Sequence, residues 1–366
     1  MSNNANVTHI TTVHARYDTR IFIKMCSSLA HSGYCVNLIV ADNKGTTIEN
    51  GVNIIDVGTS NGSRLKNGVV NAYKAFIHAK NLNSDIYHFH DPELIPVGIL
   101  LKLLNKKVIY DIHEDIPRQI LRKHLIPKGF KPLISFLFSK LESFSVRLFD
   151  GAVTVTPTIK DRFESDSVVE VRNYPLLSEF DFDIDTSNKS LVSYVGSISV
   201  DRGIFQMINS FIKSDFKLTL AGKFNSDEVE NKANELIGWI NVDFIGWQTR
   251  EEVSNILRDS LVGLVVLQPT GDYEDAFPVK LFEYMVSGAA VVASDFPLWR
   301  DIIDDAGCGV CVDPTDSESI SKSILYLKTN PDIALQMGVR GRKIVYSKYN
   351  WEQQFPNLIK LYEKIL

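Results

Sequence analysis

The sequence lacks the marks of several common protein classes. Its first residues have no basic segment followed by an apolar one, so we expect no signal peptide. It has no run of 18 apolar residues, so we expect no membrane-spanning helix. The formal net charge is only −5, which argues against general nucleic-acid binding. These absences predict a cytoplasmic protein.

Cysteine is scarce, with four residues in a chain of 366. Cys308 and Cys311 have the spacing of a redox or zinc motif, but no second C-x-x-C or H-x-x-x-H lies nearby. The surrounding residues, Gly-Cys-Gly-Val-Cys-Val, are typical of a short buried strand. We therefore predict structural thiols in a reducing compartment and no bound metal.

Short β-branched runs alternate with helical stretches over most of the chain. One series of candidate strands extends from residues 8–13 to 169–171, and a second from 191–195 to 310–312. Such alternation predicts parallel sheets covered by helices, and two series predict two doubly wound α/β domains. We place them at residues 1–174 and 190–345, joined by a solvated acidic linker at 175–189 and followed by a C-terminal helix within 346–366.

The segment at 275–288 has the pattern of a capped helix with a charged start. Pro278 suits the first helical turn, and Gly288 suits the position just past the helix end. The free N–H groups of the helix start, together with Lys280, would bind an anionic phosphate. Glu283 could accept hydrogen bonds from two vicinal hydroxyls. An ordinary amphipathic helix is the alternative.

Other strand ends of the second series carry residues suited to phosphate. Ligands of parallel sheets bind beyond the carboxyl ends of the strands. Gly196 follows the first of these strands, and Arg202 beyond it could pair with a phosphate in two-pronged fashion. Gly222 and Gly246 follow later strands, where glycine permits close backbone approach. A surface arginine at a helix start is the alternative for Arg202.

The first series has its own polar strand ends. The segment at 14–20, H-A-R-Y-D-T-R, suits an anionic or hydroxylated ligand, with local capping by Asp18 or Thr19 as the alternative. It contains no glycine, and neither series has G-x-G-x-x-G after its first strand. This argues against a nicotinamide dehydrogenase.

Two further clusters follow later strands of this series. Strand alternation puts His88 and His90 on one face, and Asp91 could cap the next helix ahead of Pro92. The third cluster, D-I-H-E-D at 111–115, resembles a metal site, but its spacing matches no common zinc pattern. A histidine and carboxylates at a strand end also suit sugar hydroxyls.

Taken together, these motifs resemble a retaining glycosyltransferase of family 4, of the bacterial surface-polysaccharide type. The resemblance implies the GT-B architecture, in which two Rossmann-like doubly wound domains face a central cleft. It is carried by V-H-A-R-Y-D-T-R-I-F at 13–22, H-F-H-D at 88–91, Y-D-I-H-E-D at 110–115, V-G-S with D-R-G at 195–203, F-P-V-K-L-F-E-Y-M at 277–285 and Y-N-W at 349–351.

The resemblance also implies site residues. It places the donor in the C-terminal domain and the acceptor in the N-terminal one, and makes the last helix cross back to the N-terminal domain. The implied catalytic residues are His113, Asp275 and Arg202. The implied donor-binding residues are Gly196, Ser197, Arg202, Lys223, Phe277, Pro278, Val279, Lys280, Leu281 and Glu283. The implied acceptor-binding residues are His14, Arg16, Arg20, His90, Asp91 and Glu114.

Three positions depart from the family pattern. Asp275 stands where the family has glutamate, Ser197 where many members have a phosphate-binding arginine, and Pro278 where a glycine N–H often meets phosphate. We hypothesise that Lys280 supplies the missing positive charge.

The implied function is transfer of a hexosyl group from a UDP- or GDP-sugar to a glycan or lipid-linked sugar, in O-antigen, capsule or exopolysaccharide synthesis. We expect it to need no cofactor and no metal. The alternatives are a nucleotide-sugar 2-epimerase of the same fold and a non-catalytic subunit.

The stretch at 118–149 differs from the rest of the chain in charge. It has seven basic residues against Glu142 alone, with apolar residues interleaved. Such a stretch suits a helix lying on an anionic membrane surface, with an ordinary packed helix as the alternative. We therefore expect peripheral contact with the inner face of the cell membrane. The basic residues are Arg118, Arg122, Lys123, Lys128, Lys131, Lys140 and Arg147.

Overall fold

The computed structural model describes residues 5–59, 64–122, 126–183, 189–270 and 273–366. The chain divides into two compact units. The first comprises Met1–Asn173 together with Gln354–Leu366, and the second comprises Tyr174–Gln353. The last residues therefore pack with the first unit, and the helix that contains them begins in the second.

The first unit is built on an eight-stranded sheet of order β3-β4-β2-β1-β5-β6-β7-β8, in which β3 alone pairs antiparallel. The strands are β1 Asn6–Ile10, β2 Cys35–Val40, β3 Thr47–Glu49, β4 Val52–Asp56, β5 Ile86–Phe89, β6 Lys107–Ile112, β7 Gly151–Thr154 and β8 Val168–Glu170. The helices are a π-helix at Thr19–Cys26, α1 Ser27–His31, α2 Arg64–Leu82, α3 Ile95–Leu103, α4 Ile116–Arg122, α5 Lys131–Leu148 and α6 Pro157–Lys160, with 3₁₀ turns at Pro92–Leu94 and Lys128–Phe130.

The sheet of the first unit changes direction between β1 and β5. From β1 the chain builds outward to β2 and β4, and then returns to add β5, β6 and β7 on the other side. A crevice opens beyond the carboxyl ends of the strands at such a reversal, and ligands of doubly wound sheets bind there. The strand ends at Ile10, Phe89 and Ile112 therefore locate the candidate site of this unit.

The second unit is a six-stranded, fully parallel sheet of order β11-β10-β9-β12-β13-β14, with its reversal between β9 and β12. The strands are β9 Leu191–Val195, β10 Leu218–Ala221, β11 Val242–Gly246, β12 Ser260–Val265, β13 Ala290–Ser294 and β14 Gly309–Val312. The helices are α7 Ile204–Asn209, α8 Asp227–Asn234, α9 Arg250–Asp259, α10 Val279–Ser287, α11 Pro297–Ala306, α12 Ser317–Thr329 and α13 Pro331–Ser347, and α14 Trp351–Ile365 leads into the first unit. The 3₁₀ turns are Leu177–Phe180, Val200–Arg202 and Ile237–Asn241.

Both faces of the second sheet are buried, as the sequence alternation predicts. Apolar side chains of β9, β12 and β13 enter one core under α10 and another under α7 and α12. Gly263 in β12 allows α10 to approach, because a Cβ at that position would lie 2.2 Å from the Tyr284 ring. This close approach fixes α10 against the sheet, next to the β9–β12 reversal.

The predicted linker does not behave as a solvated segment where the structure describes it. Leu177–Phe180 forms a 3₁₀ turn whose Phe180 is buried in the core of the second unit. Glu179 makes two hydrogen bonds with Arg250. A buried aromatic ring and a partly buried ion pair therefore hold this stretch on the second unit. Residues 184–188 of the predicted linker lie outside the described residues.

The prediction of a short buried strand around the cysteines holds only in part, because Val312 is the one buried residue of β14 (Gly309–Val312). Cys311 lies in the short strand β14, and burial raises the pKa of both the Cys308 and Cys311 thiols to about 12, as suits unreactive structural thiols. No helix in the described ranges is long and apolar enough to cross a bilayer.

Candidate functional site

Helix α10 positions the charged residues predicted to bind a donor. It begins at Val279 and ends at Ser287, and Gly288 adopts the left-handed conformation with φ 78°. Pro278 is the N-cap residue with φ −69° and ψ 124°, so it precedes the first turn and does not lie in it as predicted. No side chain caps this helix start. Its N–H groups thus remain suited to an anion.

The ammonium of Lys280 lies at the carboxyl end of β9. Its Nζ is 5.5 Å from the centre of the Tyr194 ring. A Cβ at Gly196 would lie 2.1 Å from that Nζ, and Gly196 has φ +132°. Glycine at this position therefore lets the lysine reach the backbone beyond β9.

Desolvation, together with the nearby Arg202 guanidinium, lowers the pKa of Lys280 to about 7. Arg202 also hydrogen-bonds the Tyr194 hydroxyl, which donates to the Ser197 carbonyl at 2.7 Å. In the described part of the chain no carboxylate lies within ion-pairing distance of the Lys280 ammonium. Two adjacent basic side chains, with Glu283 as a nearby counter-charge, make this a candidate anion-binding site.

Glu283 does not stand alone in this helix. Its Oε1 lies 2.7 Å from Nη2 of Arg250, which sits in the first turn of α9. The same guanidinium donates to both carboxylate oxygens of Glu179, at 2.9 and 2.7 Å. Both carboxylates raise the pKa of Arg250. The predicted ribose-binding carboxylate is thus held in place by an arginine.

A cavity of about 370 Å³ opens beside the ends of β9, β10 and β11. Two predicted donor residues, Ser197 and Lys223, are exposed at its wall. Trp247 also lines it and is 71% exposed. An exposed indole beside two strand-end glycines offers a flat surface for a planar ring.

Other predicted donor residues have different surroundings. The Leu281 side chain is fully buried in the core, which corrects its prediction as a ligand contact. Phe277 packs against the core, 6.2 Å from the Tyr174 ring. Val279 is partly buried at the helix start, and Asp275 is exposed in the loop before it.

In the first unit, Asp91 organises the turn after β1. Its carboxylate accepts from the backbone N–H of Thr12 at 2.5 Å and of Val13 at 3.2 Å, and from the Thr11 hydroxyl at 3.1 Å. These bonds and His14 lower its pKa despite burial. It does not cap the following helix as predicted, because no side-chain cap bond forms there.

His14 contacts both this carboxylate and His113. His14 Nδ1 lies 2.9 Å from Asp91 Oδ1, and the two Nε2 atoms lie 3.2 Å apart. The hydrogen bond with Asp91 raises the pKa of His14. Both imidazoles line a second cavity of about 370 Å³, together with His90, Asp91 and Glu114 among others. The structure therefore brings four predicted acceptor residues and His113 into one pocket.

The two predicted acceptor arginines have structural roles instead. Arg16 makes a two-pronged pair with Asp42 at 2.7 and 2.6 Å and donates to the Gly45 carbonyl. Arg20 makes the same kind of pair with Asp111 at 2.9 and 2.7 Å. Both are almost fully buried, which corrects the prediction that they bind a ligand. Local capping by Asp18, the alternative, does occur.

His90 is the innermost of the predicted acceptor residues and is fully buried. Its Nδ1 lies 2.9 Å from Asp111 Oδ2, and its Nε2 lies 2.9 Å from Nδ1 of His9. His9 Nε2 lies 3.2 Å from the Tyr362 hydroxyl, which lies 2.7 Å from His88 Nδ1. Both ring nitrogens of His90 therefore have protein partners, within a buried chain of hydrogen bonds behind the pocket.

This buried chain bears on the question of a metal. Ligand atoms of His88, His90 and Asp111 lie within 4.8 Å of one another. Both nitrogens of His90 and both oxygens of Asp111 already have protein partners. The chemistry of the donor set is thus that of a hydrogen-bonded network. That the protein needs no metal remains a prediction.

The sequence reasoning missed Arg250, His9 and Tyr362. Arg250 begins a helix with a Thr249–Glu252 capping box, which gives no hint of a partner at position 283. His9 lies in β1 and pairs with His88 of β5, so strand alternation could have placed it beside the other histidines. Tyr362 lies in α14, far from the histidines in sequence, and no local pattern indicates that it contacts them.

Two family models match this chain. "Glycosyltransferase Family 4" matches residues 19–172, and "Glycosyl transferases group 1" matches residues 179–344. Each match covers most of one of the two units.

Curated relatives match parts of this chain at low identity. Alpha-maltose-1-phosphate synthase of Mycolicibacterium smegmatis is 24% identical over 260 residues, which are 62% of this chain and 66% of the relative. Phosphatidyl-myo-inositol mannosyltransferase of the same organism is 22% identical over 151 residues, 41% of this chain and 37% of the relative. The chain thus spans less than two thirds of the length of each.

Solved structures share the fold at low identity. Sucrose-phosphate synthase from Thermosynechococcus elongatus superposes with a TM-score of 0.75 at 16% identity, covering 99% of both chains. The Anabaena protein HepE, solved with UDP and glucose, gives 0.74 at 9% identity, covering 98% of this chain and all of that one. The likeness to these structures shows the GT-B fold of two Rossmann-like units, and the two family matches, one on each unit, show that the chain belongs to the family 4 glycosyltransferases.

Proposed function

We propose that the protein is a retaining glycosyltransferase that moves a hexosyl group from a UDP- or GDP-sugar to a glycan or lipid-linked sugar acceptor. The pathway would be synthesis of bacterial O-antigen, capsule or exopolysaccharide. The observation that carries the proposal is Lys280, a desolvated ammonium beside Arg202 at the uncapped start of α10. A diphosphate supplies the negative charge that this arrangement lacks.

The proposed chemistry needs charge stabilisation above all. As the bond from the anomeric carbon to the phosphate oxygen breaks, its electron pair leaves with the diphosphate. Lys280, Arg202 and the α10 N–H groups would stabilise that developing charge. The acceptor oxygen then bonds to the anomeric carbon on the same face, which retains its configuration. Glu283, held by Arg250, would accept hydrogen bonds from the ribose hydroxyls.

A screen of nucleotide ligands tests the donor. We expect UDP or GDP to raise the melting temperature of the wild-type protein and to have little effect on Lys280→Met. The matched control is Lys322→Met, because Lys322 is an exposed cation on α12 of the same unit and lies outside the candidate site. If no nucleoside diphosphate stabilises the wild type, the proposal is wrong. Turnover of a nucleotide sugar without any acceptor would instead support a 2-epimerase.

The acceptor side of the proposal rests on helix α5, whose apolar residues face outward. The residues turned inward are Ser135, Glu142, Ser145 and Val146. The exposed residues recur at helical spacing and include Leu133, Phe136, Leu137, Leu141, Phe144 and Leu148. A soluble helix normally has the opposite polarity, so this face requires an apolar partner.

The inward orientation of α5 is held by an internal ion pair. Glu142 Oε2 lies 2.5 Å from Arg162 Nη2, and Glu142 Oε1 accepts from the Tyr110 hydroxyl at 3.3 Å. Rotating the helix to bury its apolar face would break the bonds of Glu142 with Arg162 and Tyr110. These bonds therefore hold α5 with its apolar face toward the outside.

The charge around this face favours an anionic bilayer as the partner. Lys128, Lys131, Lys140 and Arg147 belong to the same segment, whose one acidic residue, Glu142, is buried. Helix α4, which packs on α5, adds Arg118 and Arg122, and Lys123 lies outside the described residues. Exposed apolar residues in a segment rich in cations suit insertion at the headgroup level of the inner membrane face. A lipid-linked acceptor would be found there, and one matched relative is by name a phosphatidyl-myo-inositol mannosyltransferase.

Flotation with vesicles tests this surface. We expect the wild type to float with phosphatidylglycerol vesicles and the double variant Phe136→Ser, Phe144→Ser to stay in solution. Ile237→Ser with Ile240→Ser is the control, since those side chains are 76% and 79% exposed on the other unit. Equal flotation of wild type and Phe136→Ser, Phe144→Ser would refute the surface. If the wild type is a dimer and the double variant is a monomer, a second copy of the chain covers this face.

A further inference from the structure

A further cavity, of about 280 Å³, opens beside α5 in the first unit. One wall is the loop at residues 161–165, which follows α6. The other wall belongs to α5 and consists of Lys140, Ser143, Phe144, Val146 and Arg147. The cavity shares no lining residue with the two cavities of the candidate site. Its volume lies just below the usual range of small-molecule pockets, so it suits a small polar group.

The two walls of this cavity carry charges of opposite sign. Lys140 and Arg147 lie on the α5 wall, and Asp161 and Glu164 lie on the loop wall. All four residues are exposed, and none of them makes an ion pair with another residue that the structure describes. Two cations and two carboxylates therefore line one cavity without neutralising each other.

The third basic residue of the cavity is already neutralised. Arg162 Nη2 lies 2.5 Å from Glu142 Oε2, and Arg162 Nη1 lies 3.3 Å from Asp115 Oδ1. Its guanidinium carbon also lies 5.2 Å from the centre of the Phe163 ring. Arg162 is thus held by protein partners, and the charges available to a ligand are the two cations of α5 and the two carboxylates of the loop.

The cavity adjoins the exposed apolar face of α5. Phe144 lines the cavity and is 61% exposed. Leu141 and Leu148, which are also exposed, lie on the same face at helical spacing. A ligand with a charged head and apolar chains would therefore find both of its surfaces matched, the head in the cavity and the chains along the helix. This arrangement favours a lipid over a small polar metabolite.

We propose that this cavity binds the head group of a phospholipid that carries both a phosphate and a primary ammonium, as phosphatidylethanolamine does. Lys140 and Arg147 would bind the phosphate, and Asp161 and Glu164 would bind the ammonium. The acyl chains would lie along the apolar face of α5. The inference rests on the membrane surface proposed above and adds a specific lipid to it.

The two carboxylates favour a primary ammonium over the other common head groups. A primary ammonium donates three hydrogen bonds, whereas a trimethylammonium donates none. Quaternary ammonium groups are held by cages of aromatic rings, but Phe163 already packs on Arg162 and only Phe144 is exposed in this cavity. A purely anionic head group would be repelled by Asp161 and Glu164.

Vesicles of two compositions test the head group. Both contain the same fraction of phosphatidylglycerol, and the remainder is phosphatidylethanolamine in one and phosphatidylcholine in the other. We expect the wild type to bind the vesicles with phosphatidylethanolamine at least about fivefold more tightly. The double variant Asp161→Asn, Glu164→Gln should lose this preference. Its binding to the phosphatidylcholine vesicles should not fall, because the change removes two negative charges near an anionic surface.

The matched control is Asp304→Asn with Asp305→Asn. It removes the same charge from two exposed residues at the end of α11 in the second unit, and it should keep the preference. If Asp161→Asn, Glu164→Gln keeps the preference as well, the packing of the vesicles causes it and the proposal is wrong.

Glycerophosphoethanolamine tests the cavity without a membrane. Saturation-transfer NMR should show that it binds the wild type but not Asp161→Asn, Glu164→Gln, and that glycerophosphocholine binds neither. Absence of both this binding and the vesicle preference would refute the head-group site, even if phosphatidylglycerol vesicles still carry the protein. If glycerophosphoethanolamine binds but no vesicle does, the membrane surface fails and a lipid is overturned as the ligand.

Discussion

Arg250 Nη2 lies 2.7 Å from Glu283 Oε1, and the same guanidinium binds both oxygens of Glu179. One arginine thus connects the start of α9, the 3₁₀ turn at Leu177–Phe180 and the middle of α10. The carboxylate predicted to bind ribose is positioned by a residue more than 30 places away in sequence.

Replacing Arg250 by methionine should therefore affect both stability and donor binding. Two partly buried carboxylates lose their partner, and we expect a loss of about 2 kcal/mol in the free energy of unfolding, since the pair retains some solvent screening. Affinity for UDP should fall as Glu283 shifts. Urea unfolding and calorimetry measure the two effects. Arg258→Met is the control, because Arg258 pairs with its exposed neighbour Asp259.

Donor binding should be linked to proton uptake by Lys280. With its pKa lowered to about 7, the free lysine is mostly neutral at pH 8, and a bound diphosphate favours the charged form. Calorimetry of UDP binding at pH 8 in buffers of different ionisation enthalpy should show uptake of up to about one proton per UDP. Lys280→Met should abolish it. Unchanged uptake in that variant would assign the proton to another group.

The same lysine should make the stability of the unliganded protein depend on pH. Folding lowers the pKa of Lys280 from 10.5 to about 7, so the unfolded chain binds more protons between these values. The contribution of Lys280 therefore makes the free energy of unfolding rise with pH in this window. Urea unfolding of Lys280→Met from pH 7 to 10 should lack that part of the rise.

Gly196→Ala should weaken donor binding through Lys280. The new Cβ would lie 2.1 Å from Lys280 Nζ and would displace the end of that flexible side chain. We expect the affinity for UDP to fall about 10-fold or more, because a charge-assisted hydrogen bond contributes about 1.5–3 kcal/mol. Gly246→Ala is the matched control, with positive φ but no atom within 4 Å of the added Cβ. Equal loss of affinity in both variants would indicate backbone strain as the cause.

The Asp91–His14 contact should make stability depend on pH in two windows. Folding raises the pKa of His14, so its contribution is complete below pH 6.5 and is lost as the pH rises through the raised value. Folding lowers the pKa of Asp91, so its contribution is present above 3.8 and is lost as the pH falls through the lowered value. Asp91→Asn should flatten both dependences in urea unfolding. If the alkaline loss persists in this variant, another group causes it.

The two-unit architecture and the helix at α10 could be predicted because they depend on local patterns. Strand alternation repeats along each series, and Gly288 ends α10 in the left-handed conformation that glycine favours. The same kind of reasoning put His88 and His90 on one face, and their rings stack 4.8 Å apart.

The partners of individual charges could not be predicted, because they come from distant parts of the chain. Arg16 and Arg20 look like ligand-binding residues in sequence, yet Asp42 and Asp111 bind them inside the fold. Likewise, nothing near residue 362 in sequence indicates that its hydroxyl meets two histidines. Charge type is a local property, whereas the choice of partner is a property of the assembled unit.

The position of Tyr362 has a consequence for the order of folding during synthesis. Residues 354–366 belong to the same unit as the residues before 174, but the ribosome makes them only after the whole second unit. Until then the histidine chain of the first unit lacks its tyrosine, and the surface that α14 covers stays open. The second unit, which is continuous in sequence, can fold as soon as it leaves the ribosome, whereas the first unit can be completed only after the second has been made.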